Sequence, residues 1–149
     1  MTTNYEEILE QLQAIMDPEY PVVSNLANAA ALLYEKMELV NWAGFYLCDK
    51  EALWLGPFGG KTACVRIGYN KGVCGTAWAE GRTQRVEDVH AFPGHIACDS
   101  ASASEIVVPL FKDGQVAGVL DIDSPVTARF TVEDQKYLEA AAHLIESIL

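Results

Sequence analysis

The stretch EIVVPLFKDGQVAGVLDID, residues 105–123, reads as two apolar strands folded back on each other around Lys112-Asp113-Gly114. Asp-Gly between two apolar runs is the sequence of a tight β-hairpin. The period-two geometry of a strand puts Ala117, Val119, Asp121 and Asp123 on one face, and Val116, Gly118, Leu120 and Ile122 on the other. In the first strand Glu105 shares a face with Val107 and Pro109, and a short turn brings it near the Asp121 end of its partner. Carboxylates in apolar strands cost free energy unless they are protonated or paired. When crowded together, they raise one another's pKa or require a cation between them. The competing reading is that Asp121 and Asp123 only terminate an exposed strand beside Ser124-Pro125.

Outward from the hairpin, the pattern is helix, helix, three strands, a small helix with a loop, the hairpin, and a helix. Thr3 and Glu6 match a T-x-x-E capping box for a first helix, with Ile8, Leu9, Leu12 and Ile15 as its apolar stripe. Pro18 ends it, and Pro21 opens a second, alanine-rich helix to about residue 37 that is apolar nearly all round and so expected to be buried. Strands follow at 40–48, 53–58 and 64–67, then a short helix over 73–80 closed by Gly81, and a brief strand at 84–86. Residues 87–104 read as a loop, and one of this length inside a domain is more often functional than not. Thr131 caps a last helix whose Val132, Leu138, Ala141, Leu144, Ile145 and Ile148 are expected to point inward. This is an α+β pattern: a central antiparallel sheet with helices packed on one face and a loop-covered ligand pocket on the other.

At 149 residues the chain reads as a single domain over 1–149, half hydrophobic and 21% charged. A net charge of −11 argues against nucleic acid or an anionic membrane as partner and favours a cationic or zwitterionic ligand. The first ten residues, MTTNYEEILE, lack the basic and apolar regions of a signal peptide, and no apolar run is long enough to span a bilayer. Four cysteines without secretory context fit a reducing cytoplasm, and catalysis or metal binding rather than a disulfide scaffold.

Three of the cysteines admit more than one reading. Cys64, Cys74 and Cys98 with His90 or His95 would make a zinc site, but there is no C-x-x-C pair. Buried, inert thiols are the second reading, and the one adopted for Cys48. A nucleophile with a resolving partner is the third, with Cys98 in its Ser/Ala-rich loop as nucleophile and Cys64 and Cys74 as candidate partners. Trp42 shares a strand face with Gly44, Tyr46 and Cys48, and beside carboxylates it would suit an ammonium or polarised methyl group. Trp54 and Trp78 read as core.

Three segments then become specific: GVCGTAW (72–78), HIACDSASASEIVVPL (95–110) and VLDIDSP (119–125). With the cysteine spacing of 10 and 24 residues, they resemble the GAF-domain free methionine-(R)-sulfoxide reductases over nearly the whole chain. The resemblance implies a GAF fold and reduction of free L-methionine-(R)-sulfoxide. It makes Cys98 the nucleophile, Cys64 the principal resolving thiol and Cys74 an auxiliary one, with Trp42, Glu105, Asp121 and Asp123 lining the substrate pocket. It implies no resident cofactor or metal, thioredoxin as external reductant, and allows a homodimer. Protonation of the sulfoxide oxygen needs a carboxylic acid of raised pKa, and Asp123 is the favoured donor. A GAF sensor that binds a small molecule without turning it over is the alternative.

Overall fold

The computed structural model describes residues 2–94 and 101–149. Asp113 and Gly114 both take positive φ (53° and 77°), the backbone of a two-residue hairpin loop whose twist matches that of its strands. They join β5 (Ser104–Lys112) to β6 (Gln115–Ser124). The pairing is straight from Lys112↔Gln115 to Phe111↔Val116, then shifts so that Leu110 faces Gly118 and Glu105 faces Asp123. Ala117 is thus the extra residue of a bulge.

Around the hairpin stand α1 (Tyr5–Ile15), α2 (Val22–Lys36), β1 (Trp42–Cys48), β2 (Ala52–Gly60), β3 (Arg66–Gly68), α3 (Gly72–Glu80), β4 (Gln84–Val86) and α4 (Val132–Glu146). The six strands form one antiparallel sheet in the order β3-β2-β1-β6-β5-β4. The α+β expectation holds, with the strands expected at 40–48, 53–58 and 64–67 displaced by up to two residues at their ends. The helices, however, are not confined to one face. Those at the chain's two ends, α1, α2 and α4, cover one side, where Phe45, Ile106, Leu120 and Ile122 meet Leu12, Leu33 and Leu138. The other side carries α3, whose Val73, Cys74 and Ala77 pack with Trp42, Tyr46 and Val119. Among the described residues no helix is long and apolar enough to cross a membrane.

Several local expectations are corrected by packing. The cap of α1 is Asn4, whose side chain accepts from the Glu7 N–H. Thr3 is drawn away because its hydroxyl accepts from the Glu38 N–H and from Arg129. The second helix buries one face only, leaving Val22, Val23 and Tyr34 exposed. Val132 sits in the first turn of α4 beside the Thr131–Asp134 capping box and is exposed rather than inward. Trp54 is also exposed, with its indole N–H bonded to Asp49 and Arg66 over its ring.

One polar cluster ties the N-terminal segment to the turn after α2 and to the start of α4. The Arg129 guanidinium bonds the Glu38 carbonyl (2.8 Å), Thr3 (3.0 Å) and Asp134 (3.1 Å), and Tyr5 donates to the other Asp134 oxygen. Both partners of the Arg129–Asp134 pair are nearly buried, and breaking a buried pair strands a charge. Arg129→Ala should therefore lower the unfolding free energy by about 3 kcal/mol. Urea denaturation checks this, and a loss no larger than that of an exposed ion pair would show that water replaces the arginine.

Candidate active site

The bulge at Ala117 and the antiparallel registers arrange the chemistry-bearing side chains in rows across three adjacent strands. In the first row Trp42 faces Asp123, which faces Glu105; in the second Gly44 faces Asp121, which faces Val107. Glu105 is thus the direct cross-strand neighbour of Asp123 and diagonal to Asp121, near the Asp121 end of its partner strand as expected. The strand-end reading of the aspartates does not survive, since Asp121 is 6% exposed and the strand runs on to Ser124.

Gly44 is required by the packing above it. A Cβ there would meet the Phe58 Cβ at 2.3 Å. Its absence lets Phe58 stack on Trp42 (centroids 5.1 Å apart), and Tyr46 stacks on the same indole at 6.0 Å. The result is an aromatic wall beside the acidic row.

Across from this wall lies the start of α3. Lys71, Gly72, Val73 and Cys74 line a pocket with Trp42, Tyr46, Thr62, Ala63, Ile67, Ser102, Glu105, Asp121 and Asp123. No side chain caps this end of the helix, and the first N–H groups of a helix lack intrahelical partners and favour anions. The pocket lining therefore combines carboxylates with the uncapped first turn of α3, groups of opposite polarity that suit a zwitterion.

Electrostatics follow from burial. Glu105 is pushed well above the usual carboxylate range, first by desolvation and then by Asp121 and Asp123, to both of which it hydrogen-bonds. Burial and the two neighbouring aspartates thus favour the protonated form of Glu105. The Cys74 sulfur lies within 4.8 Å of carboxylate oxygens of both Glu105 and Asp121. Burial, followed by those carboxylates, holds the Cys74 thiol well above its ordinary pKa, so it is a poor nucleophile. Cys48 is pushed up to about 11 by burial and Asp49, consistent with an inert thiol.

Cys64 is disulfide-bonded, whereas Cys48 and Cys74 are free thiols. Cys98 and His95 lie outside the described residues, as do the expectations placed on them. The structure adds Tyr46, Thr62, Ala63, Ser102 and the α3 N-terminus to the residues expected from sequence. Period-two alternation already put Tyr46 on Trp42's face. The α3 end carried a weaker signal, a helix start at Lys71-Gly72 without Ser, Thr, Asp or Asn.

A six-stranded antiparallel sheet with terminal helices behind and a small helix roofing a ligand pocket in front defines a GAF domain, and the GAF domain family matches residues 2–149. The chain is 52% identical over 148 residues to the free methionine-R-sulfoxide reductase of Escherichia coli, an alignment covering 99% of this chain and 90% of that protein. The reduced form of fRMsr of Staphylococcus aureus superposes with a TM-score of 0.95 at 51% identity, covering 99% and 96% of the two chains. The X-ray structure of free methionine-R-sulfoxide reductase from Neisseria meningitidis in complex with its substrate gives 0.93 at 49% identity, covering 97% and 87%. The chain belongs to the GAF-domain free methionine-R-sulfoxide reductase family.

Proposed function

We propose that this protein reduces free L-methionine-(R)-sulfoxide to L-methionine. The observation that carries the reading is the pocket lined both by three clustered carboxylates and by the uncapped start of α3. A free amino acid offers the matching ammonium and carboxylate, and the Trp42 wall suits the methyl group on the polarised sulfur. Relatives at about half identity that carry the reductase name favour an enzyme over a sensor.

In the mechanism, the Cys98 thiolate attacks the sulfoxide sulfur while protonated Glu105 delivers a proton to the oxygen, which would otherwise be too poor a leaving group. The oxygen passes to Cys98 as a sulfenic acid and methionine departs, reduced by two electrons. The Cys64 thiol then attacks the sulfenic sulfur, the S–O bond breaks, and the oxygen leaves as water. That Cys64 stands in a disulfide while Cys74 is a buried, high-pKa thiol supports Cys64 as the resolving partner. Thioredoxin, a dithiol, returns the disulfide to two thiols, a cycle suited to the reducing cytoplasm.

The test is an NADPH-coupled thioredoxin assay on both sulfoxide epimers, with turnover expected on the free R form. Acetylating the substrate amine should lower kcat/KM by on the order of a hundredfold, because about 3 kcal/mol is lost when a buried charge has no partner. Comparable kcat/KM for free and acetylated sulfoxide would refute the assignment of the carboxylates to the ammonium.

A further inference from the structure

Two buried aromatic side chains on the pocket face of β1 are hooked to the backbone of one short segment. The Trp42 indole Nε1–H donates to the Lys61 carbonyl at 3.0 Å, and the Tyr46 hydroxyl donates to the Cys64 carbonyl at 2.8 Å. Trp42 is 3% exposed and Tyr46 2%, so neither donor swings freely. Lys61, Thr62 and Ala63 lie between the end of β2 and Cys64 with no regular structure to hold them. The segment begins at Gly60, whose φ is +129°. A Cβ at Gly60 would lie 2.7 Å from the Trp42 ring and 2.9 Å from the Asn41 carbonyl. Its approach to β1 is thus available only to glycine.

We infer that Tyr46 is the positioning residue for the resolving step. By holding the Cys64 carbonyl it fixes where that cysteine stands, next to the pocket residues Thr62 and Ala63, and so how fast its thiol reaches the sulfenic acid. The inference rests on the proposed role of Cys64. The chemistry favours a lasting tether: burial and the neighbouring Asp121, Cys74, Asp123 and Glu105 oppose ionisation of the phenol, which remains a donor. A thiol held at its target gains the rate advantage of an intramolecular, oriented reaction, and loosening the backbone that carries it forfeits part of that advantage. Tyr46 does this without touching the sulfur. The disulfide forms as the Cys64 sulfur attacks the sulfenic sulfur, which loses its hydroxyl as water once the thiol proton is supplied.

Tyr46→Phe keeps the ring against Trp42 and deletes only the donor. Reduced enzyme is mixed with one equivalent of methionine sulfoxide, methionine release is followed by quench-flow, and sulfenic acid is trapped with dimedone and weighed by mass spectrometry. Disulfide formation should slow about tenfold relative to methionine release, as expected for one lost hydrogen bond, and dimedone-labelled protein should accumulate. Circular dichroism reports whether the variant folds. If it does not, Val65→Gly, which loosens the backbone beside Cys64 at an exposed position outside the pocket, is measured in its place with the same expectation. Disulfide formation that keeps pace with methionine release overturns the proposal, as does equal slowing of both steps, the result of a merely structural role. Cys64→Ser separates the two levels of inference. If that variant accumulates no sulfenic acid, the assignment of Cys64 itself fails. If it does accumulate it while Tyr46→Phe does not, only the role of Tyr46 fails.

Discussion

Replacing Cys98 by serine should abolish methionine formation altogether, including the first turnover of fully reduced enzyme. A serine hydroxyl is scarcely ionised near neutral pH and cannot accept the sulfoxide oxygen as a sulfenic acid. Neither Cys74 nor Cys48 is suited to substitute. Cys74 is buried beside Glu105 and Asp121, which hold it protonated, and the half-buried Cys48 at the end of β1 has its pKa pushed up to about 11. Cys64→Ser should behave differently, releasing about one equivalent of methionine per enzyme and then stalling, because only the step recycled by the external dithiol is lost. Quantifying methionine with and without thioredoxin distinguishes the two variants. Steady-state activity in Cys98→Ser would end the mechanism proposed above.

The second large effect is expected at Glu105. Glu105→Gln preserves size and hydrogen bonding but cannot deliver a proton, so kcat should fall by about a hundredfold or more, the usual worth of a general acid. Substitution of Asp123 should weaken substrate binding instead, raising KM more than it lowers kcat. The same glutamate makes a separate prediction about stability. Its folded-state pKa lies well above the ordinary value, chiefly through burial and then through Asp121 and Asp123. The folded protein therefore binds more protons than the unfolded chain above about pH 4.5. The contribution of Glu105 to stability is fully present below that pH and is lost as pH rises through the raised pKa. Glu105→Gln should flatten this decline and stabilise the substrate-free protein near pH 8 by on the order of 1 kcal/mol. Urea midpoints across pH 5–8 provide the measurement. A steeper decline in the variant, with kcat unchanged, would move the proton to another carboxylate.

Local chemistry in the sequence determined a good deal. Asp113-Gly114 admits the left-handed backbone of a two-residue turn, so the hairpin was legible, as were the helix stop at Gly81 and the cap at Thr131. Alternation sorted Val119, Asp121 and Asp123 from Leu120 and Ile122, because side chains along a strand must point to opposite faces. The three family segments identified the chemistry. Other features depended on contacts between residues distant in sequence. Whether Thr3 or Asn4 caps α1 was decided by Arg129 and Glu38, which claim the threonine hydroxyl. Whether Trp54 is core was decided by its place on the strand next to the sheet edge, where it is left exposed and bonded to Asp49.

The site itself turns on one residue that no local pattern marks. Continued straight from the Lys112↔Gln115 pair, the hairpin would set Glu105 opposite Ile122 and turn it toward the helix-covered core. The bulge at Ala117 shifts the register by one, so that Glu105 meets Asp123 on the pocket face. Pairing with β1 then adds Trp42 to the row, and α3 closes over it. Which groups are acidic and which are thiols is written in the sequence. Which of them share a proton depends on register and burial, because a carboxylate's pKa responds to neighbours a few ångströms away and not to neighbours in the chain.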